Sequence, residues 1–102
     1  MQQHATDTRL SADQASSLLK ALADPTRQRI LLQLGKGEGC VCDLTSDLDL
    51  AQSKLSFHLR VLKESGLVSD RQSGRWIYYR LEPLMIRDLE TWLSAVSYTH
   101  LR

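Results

Sequence analysis

The 102-residue chain is poor in cysteine, proline and aromatic residues, and it has no long apolar run. Its two cysteines stand one residue apart and make no disulfide framework, which points to a reducing cytoplasm. The longest stretch free of Asp, Glu, Lys and Arg is residues 91–101, eleven positions. A bilayer span needs roughly 20 apolar residues, so no membrane segment is expected. The opening residues, MQQHATDTRL, hold no apolar core for a secretory signal. Glycines 35, 37 and 39 are not followed by the Lys-Ser/Thr of a phosphate-cradling loop. No hydrolase or transferase constellation appears either, so the chain is not expected to be an enzyme. It shows no internal repeat and no low-complexity tract.

What remains is ordinary globular composition, 42% apolar and 25% charged. One domain is expected over residues 1–102, with about 11–96 structured and the ends frayed or truncated. Net charge is only +1, but it is unevenly spread. Residues 52–80 carry six basic and two acidic side chains, whereas the segments on either side are net acidic. Such a central basic block could face phosphates.

The local patterns predict a run of helices closed by a hairpin. Ser11-Ala12-Asp13-Gln14 has the form of a capping box. Ala15, Leu18, Leu19 and Leu22 then follow at helical spacing. Asp24-Pro25 reads as a fresh N-cap followed by proline at the first helical position. That second helix carries Ile30, Leu31 and Leu34 and stops in the glycines. A third helix has Val41, Leu44 and Leu48 on its inner stripe, and Asp49-Leu50-Ala51 makes a tight link to a fourth. There Leu55, His58, Leu59 and Leu62 fall on one face, and Gly66 ends it.

The period then changes from helical to alternating. Residues 68–71 and 76–81 read as strands joined by Gln72-Ser73-Gly74-Arg75, with Ile77, Tyr79 and Leu81 on one face. After Pro83, the residues Met85, Leu89, Trp92, Leu93 and Val96 rebuild a helical stripe. Residues 97–102 break that stripe, leaving open a truncation, a sequencing scar or a native chain that runs on. The fold class is mostly α with a β-hairpin, in the order α-α-α-α-β-β-α. The amphipathic first and last helices make a subunit partner the expected arrangement.

Two short helices with a three-residue link, followed by a basic hairpin, describe a winged helix-turn-helix. The fourth helix turns Ser53, Phe57 and Arg60 away from its apolar stripe, flanked by Lys54 and Ser56, with Gln52 in its first turn. Gln and Ser can bond base edges, an aromatic can touch a thymine methyl, and Lys and Arg suit guanine or phosphate. Any surface helix has a polar face, but Phe57 on a solvated face lacks a stability reason. His58 lies on the inner flank and reads as a packed, hydrogen-bonded residue rather than a base contact. The hairpin adds Arg71, Arg75 and Arg80, placed to follow the DNA backbone or a minor groove.

Four runs carry a resemblance to a known family. They are Ala23-Asp24-Pro25-Thr26-Arg27-Gln28-Arg29-Ile30-Leu31, Cys40-Val41-Cys42-Asp43-Leu44, Gln52-Ser53-Lys54-Leu55-Ser56-Phe57-His58-Leu59 and Gly74-Arg75-Trp76-Ile77-Tyr78-Tyr79. In order and spacing they resemble the ArsR/SmtB family of bacterial metalloregulatory repressors over roughly residues 11–93, and within it the arsenic-responsive branch. The resemblance implies a homodimer joined through the first and last helices. It implies binding to a palindromic double-stranded operator, with Gln52, Ser53, Ser56 and Phe57 at the DNA-reading positions. It also implies an inducer, arsenite or antimonite, held by Cys40 and Cys42, and no obligatory cofactor.

On a regular helix, residues two apart point about 200° apart, so Cys40 and Cys42 opening the third helix are expected to need its first turn unwound before both reach one atom. A soft, thiolate-seeking ion could then distort that helix and shift its neighbour in the groove. The family's third cysteine is replaced here by Thr45, a poor ligand for such an ion. Water, an external thiol or a cysteine beyond the chain remain as third ligand. Glu82, Asp88 and Glu90 accompany the last helix without a histidine before His100, and the only others are His4 and His58, which disfavours a zinc sensor. Alternatives stay open: the same fold sensing another thiophile or an oxidant, or having no metal response. A thiol oxidoreductase is disfavoured because no lysine or histidine adjoins the pair to depress a thiol pKa. A winged helix that binds only protein is the remaining reading.

Overall fold

The computed structural model describes residues 9–101, the side chains through Tyr98. Ser11 caps the first helix, α1 (Ala12–Leu22), with both halves of the capping box formed. Its hydroxyl accepts from the Gln14 backbone N–H at 3.1 Å, and the Gln14 side chain accepts from the Ser11 N–H at 2.8 Å. Asp24 caps α2 (Pro25–Leu34) by accepting from the Arg27 N–H at 3.0 Å. Next come β1 (Gly39–Cys40), α3 (Val41–Leu48) and α4 (Gln52–Ser65). The chain closes with β2 (Val68–Ser73), β3 (Trp76–Leu81) and α5 (Pro83–Leu101).

The architecture is that of a winged helix-turn-helix: five helices and a three-stranded antiparallel sheet in the order β1-β3-β2. The expected order lacked β1. This strand is two residues long, pairing Gly39 with Tyr79 and Cys40 with Tyr78. So short a strand has no alternation to display; it exists because the edge of β3 accepts it. The hairpin is also tighter than expected. Ser73 pairs with Trp76, which leaves Gly74 and Arg75 as a two-residue turn in place of four. Gly74 takes φ +63°, a conformation that costs glycine little.

Leucines dominate the core. Leu18, Ile30, Leu44, Leu55, Leu59, Leu62 and Leu67 are fully buried, joining α1, α2, α3 and α4 to the start of the wing. Each such side chain contributes about 1.5–3 kcal/mol by leaving water. Gly66 ends α4 at φ +88°, and a Cβ there would meet Met85 Cε of α5 at 2.7 Å. The α3–α4 link turns through Asp49, which adopts a left-handed φ of +55°.

Two apolar stripes extend beyond this core. In α1, Ala21 rather than Leu19 is buried, and Leu19 is exposed. In α5, Leu89 is buried, with Met85, Ile86 and Trp92 packed against the core. Leu93 and Val96 continue the same helical face, yet both are about half exposed. No helix among the described residues is long and apolar enough to cross a membrane.

Candidate functional site

The outer face of α4 presents Gln52, Ser53, Lys54, Ser56, Phe57 and Arg60, all exposed. Behind it, Leu55, His58, Leu59 and Leu62 are buried. Phe57 is 53% exposed, and its ring meets His58 edge-on at 5.2 Å. His58 packs inward as expected. Its Nδ1 accepts from Arg27 Nη1 at 3.1 Å; since arginine can only donate, the ring proton belongs on Nε2. Arg27 also donates to the carbonyls of Ala21 at 2.7 Å and Lys20 at 3.3 Å. One guanidinium thus ties the end of α1 and the start of α2 to the back of the α4 face. Burial holds the His58 pKa below its usual range; Asp24 opposes this, while the charges of Arg27 and Lys54 add to it.

The wing carries the other basic positions. Arg75 stands exposed at the turn, with no ion-pair partner among the described residues. Arg71 is engaged: its guanidinium makes two 2.8 Å hydrogen bonds to the Glu38 carboxylate and lies 4.8 Å from the Tyr78 ring centre. The Arg71 hydrogen bonds hold the Glu38 carboxyl below the usual carboxylate range. Arg80 lies 3.6 Å from Glu82, and Lys63 of α4 pairs with Asp70 of β2 at 3.0 Å. Sequence reasoning missed the Glu38–Arg71 pair, whose members lie far apart in the chain and meet only because β1 joins the sheet.

The cysteines are arranged differently from the expectation. Cys40 does not lie on a helix; it is the N-cap of α3, with extended φ −87° and ψ 167°. The rotation of about 200° between helical neighbours therefore does not apply. The two Sγ atoms are 3.2 Å apart with α3 intact, so no turn has to unwind to bring them together. Cys40 is buried and Cys42 exposed. The hydrogen bond to Cys40, together with burial and the Asp43 carboxylate, pushes the Cys42 thiol up.

Asp43, overlooked in the sequence, brings a carboxylate oxygen into the cluster; the three donor atoms lie within 4.8 Å of one another. Its place in the first turn of α3, where an acid suits the helix dipole, was the available signal. Thr45, at the position of a third thiol, donates its hydroxyl to the Cys42 carbonyl at 2.9 Å. His4 and the His100 side chain lie outside the described residues.

A cleft of about 330 Å³ opens beside Cys42, between α3, the first residue of α4 and the tip of the wing. Val41, Trp76 and Ile77 line it, with Thr45 and Gln52 on the helical side and Arg75 at the wing turn. Trp76 is 48% and Ile77 41% exposed.

Residues 24–70 match the sequence profile of the bacterial regulatory protein family arsR. The match runs from the cap of α2 into β2 and takes in both cysteines and the whole of α4. The chain is 55% identical over 67 residues to the arsenical resistance operon repressor of Escherichia coli, covering 65% of this chain and 57% of that protein. The chain belongs to the arsR family.

The matched segment carries the family's helix-turn-helix, and the proteins it is similar to are named as transcriptional regulators and repressors. The chain is 45% identical over 80 residues to the arsenic resistance transcriptional regulator ArsR1 of Pseudomonas putida, across 78% of this chain and 59% of that one. It thus spans somewhat under three fifths of the length of both relatives. Among solved structures it is similar to an ArsR-like transcriptional regulator from Rhodococcus sp. RHA1, with a TM-score of 0.79 and 28% identity. That likeness covers 83% of this chain and 80% of the other.

Proposed function

We propose that this arsR-family chain is a homodimeric repressor that binds a palindromic operator and is released by arsenite or antimonite captured at Cys40 and Cys42. The observation that carries the reading is the pair of thiols 3.2 Å apart at the cap of α3, the helix packed against α4. The donor set fits a soft trivalent ion: two sulfurs, with the Asp43 carboxylate as a nearby oxygen. Held there as thiolates, the cysteines would supply the bonds that draw the ion from water.

Gln52, Ser53, Ser56 and Phe57 would read the major groove, and Lys54 and Arg60 would hold phosphate or guanine. Arg75 would follow the backbone from the wing; Arg71 would do so by sharing or leaving Glu38. Cys40 supports the release step because it belongs to two elements at once, pairing with Tyr78 of the wing and capping α3. A ligand that shifts this residue moves the wing and the support of α4 together. Free energy favouring the shifted arrangement is withdrawn from the DNA-bound one.

The test is fluorescence anisotropy of the reduced protein on a promoter fragment from upstream of its own gene. Tight binding that falls steeply with salt and is lost on adding arsenite is the expected result. Cys40→Ser should keep DNA binding and lose the release. Release of that variant by arsenite would remove the thiols from the mechanism, and no binding at low salt would remove DNA.

A further inference from the structure

We infer that the ligand best matched to this site is a monosubstituted organic arsenical, R–As(III), with its carbon group seated in the cleft between α3 and the wing. This rests on the proposed thiol site and narrows its ligand class.

Two observations meet here. The first is a shortage of sulfur. Inorganic As(III) has three oxygen positions to exchange and gains most from three thiolates. The described residues offer two, and at the third position the Thr45 hydroxyl is engaged with the Cys42 carbonyl. An organic arsenical R–As(OH)₂ has two exchangeable positions. Both As–O bonds are replaced by As–S bonds, and the two thiol protons leave with the hydroxides as two waters. Arsenic stays trivalent and the As–C bond is untouched, so no oxidant or reductant is needed.

The second observation is a place for R. The cleft beside Cys42 has Val41, Trp76 and Ile77 as its apolar lining, with Thr45, Gln52 and Arg75 completing its wall, and its volume of about 330 Å³ is within the range of small-molecule pockets, roughly 300–1,000 Å³. Trp76 and Ile77 are large apolar side chains left about half exposed at the tip of the wing, an arrangement that folding alone does not favour. An aryl or alkyl group lodged there gains their burial. Asp43 does not line this cleft; it borders a separate depression on the other side of α3, with Lys36 and Gly37. The carboxylate is therefore available to an inorganic ion without occupying the place of R. A group wedged between α3 and Trp76 also pushes directly on the wing.

The experiment is calorimetric titration of the full reduced chain with phenylarsine oxide and, separately, sodium arsenite. A phosphine serves as reductant because a thiol would itself take up the arsenical. Phenylarsine oxide should bind at least about tenfold more tightly than arsenite. Trp76→Ala and Ile77→Ser should each erode that preference several-fold while leaving arsenite binding unchanged. Thr45→Cys, which adds the third sulfur, should tighten arsenite and narrow the gap. Arsenite binding as tightly as the aryl compound would overturn the inference, and so would a preference untouched in both cleft variants, which would come from dithiol chemistry alone. If neither compound binds, the thiol-site reading itself fails.

Discussion

Arg27 is a basic residue in a helix-turn-helix domain, yet its guanidinium points inward. It donates to Ala21, Lys20 and His58, and leaves the outer face of α4 to other cations. His58 depends on this arrangement, because its Nδ1 can accept from Arg27 only while unprotonated. Burial lowers its pKa in the fold, so the neutral form is favoured relative to the unfolded chain, where histidine titrates near about 6.5. Below that value the unfolded chain binds the additional proton and stability falls as pH falls; above it the contribution is complete. Urea unfolding of the wild type and of His58→Gln between pH 7.5 and about 5.5 should show a steeper loss for the wild type. Glutamine keeps an acceptor but does not titrate. Parallel curves would mean that the carboxylates alone set the pH dependence.

Among the elements, β1 has the largest influence for its size. It places Glu38 against Arg71 of β2 and Cys40 against Tyr78 of β3, so the loop after α2 is fastened to the wing. Glu38→Gln should free Arg71 for phosphate and remove a negative charge beside it. Operator affinity should rise, and the slope of log affinity against log salt should steepen by about one. An unchanged slope, read by anisotropy across a salt series, would show that Arg71 stays on Tyr78. The same strand shows what the sequence could and could not convey. α1, α2 and α4 were legible because their caps and stripes are local: Ser11 with Gln14, Asp24 before Pro25, and Leu55 through Leu62 before Gly66. The exposed polar face of α4 followed from the same stripe. β1 was not legible, since two residues have no period and their pairing depends on a strand nearly forty positions away. The thiol geometry was lost with it, because the extended conformation of Cys40 comes from that pairing. The Trp76–Ile77 cleft likewise depends on how the hairpin leans over α3, which alternation along β3 cannot report.

At the scale of the molecule, the exposed apolar end of α5 is where the proposed homodimer would close. Leu93 and Val96 carry the core-facing stripe past the point where the core ends, and Leu19 of α1 is exposed as well. Covering them in a homodimer should make the melting temperature rise with protein concentration. Leu93→Asp combined with Val96→Asp should yield a monomer by sedimentation and weaken operator binding, with α4 untouched. A dimer that survives this change would place the interface elsewhere. The thiol pair, finally, bears on timing. With both sulfurs already side by side at the start of α3, the proposed capture would not wait for helix to melt. The observed rate should climb in proportion to the arsenical supplied, without the plateau that a slow opening step imposes. The delay between the arrival of the toxic compound and the cell's answer would then be governed by encounter and by departure from DNA, not by a rearrangement of the sensor.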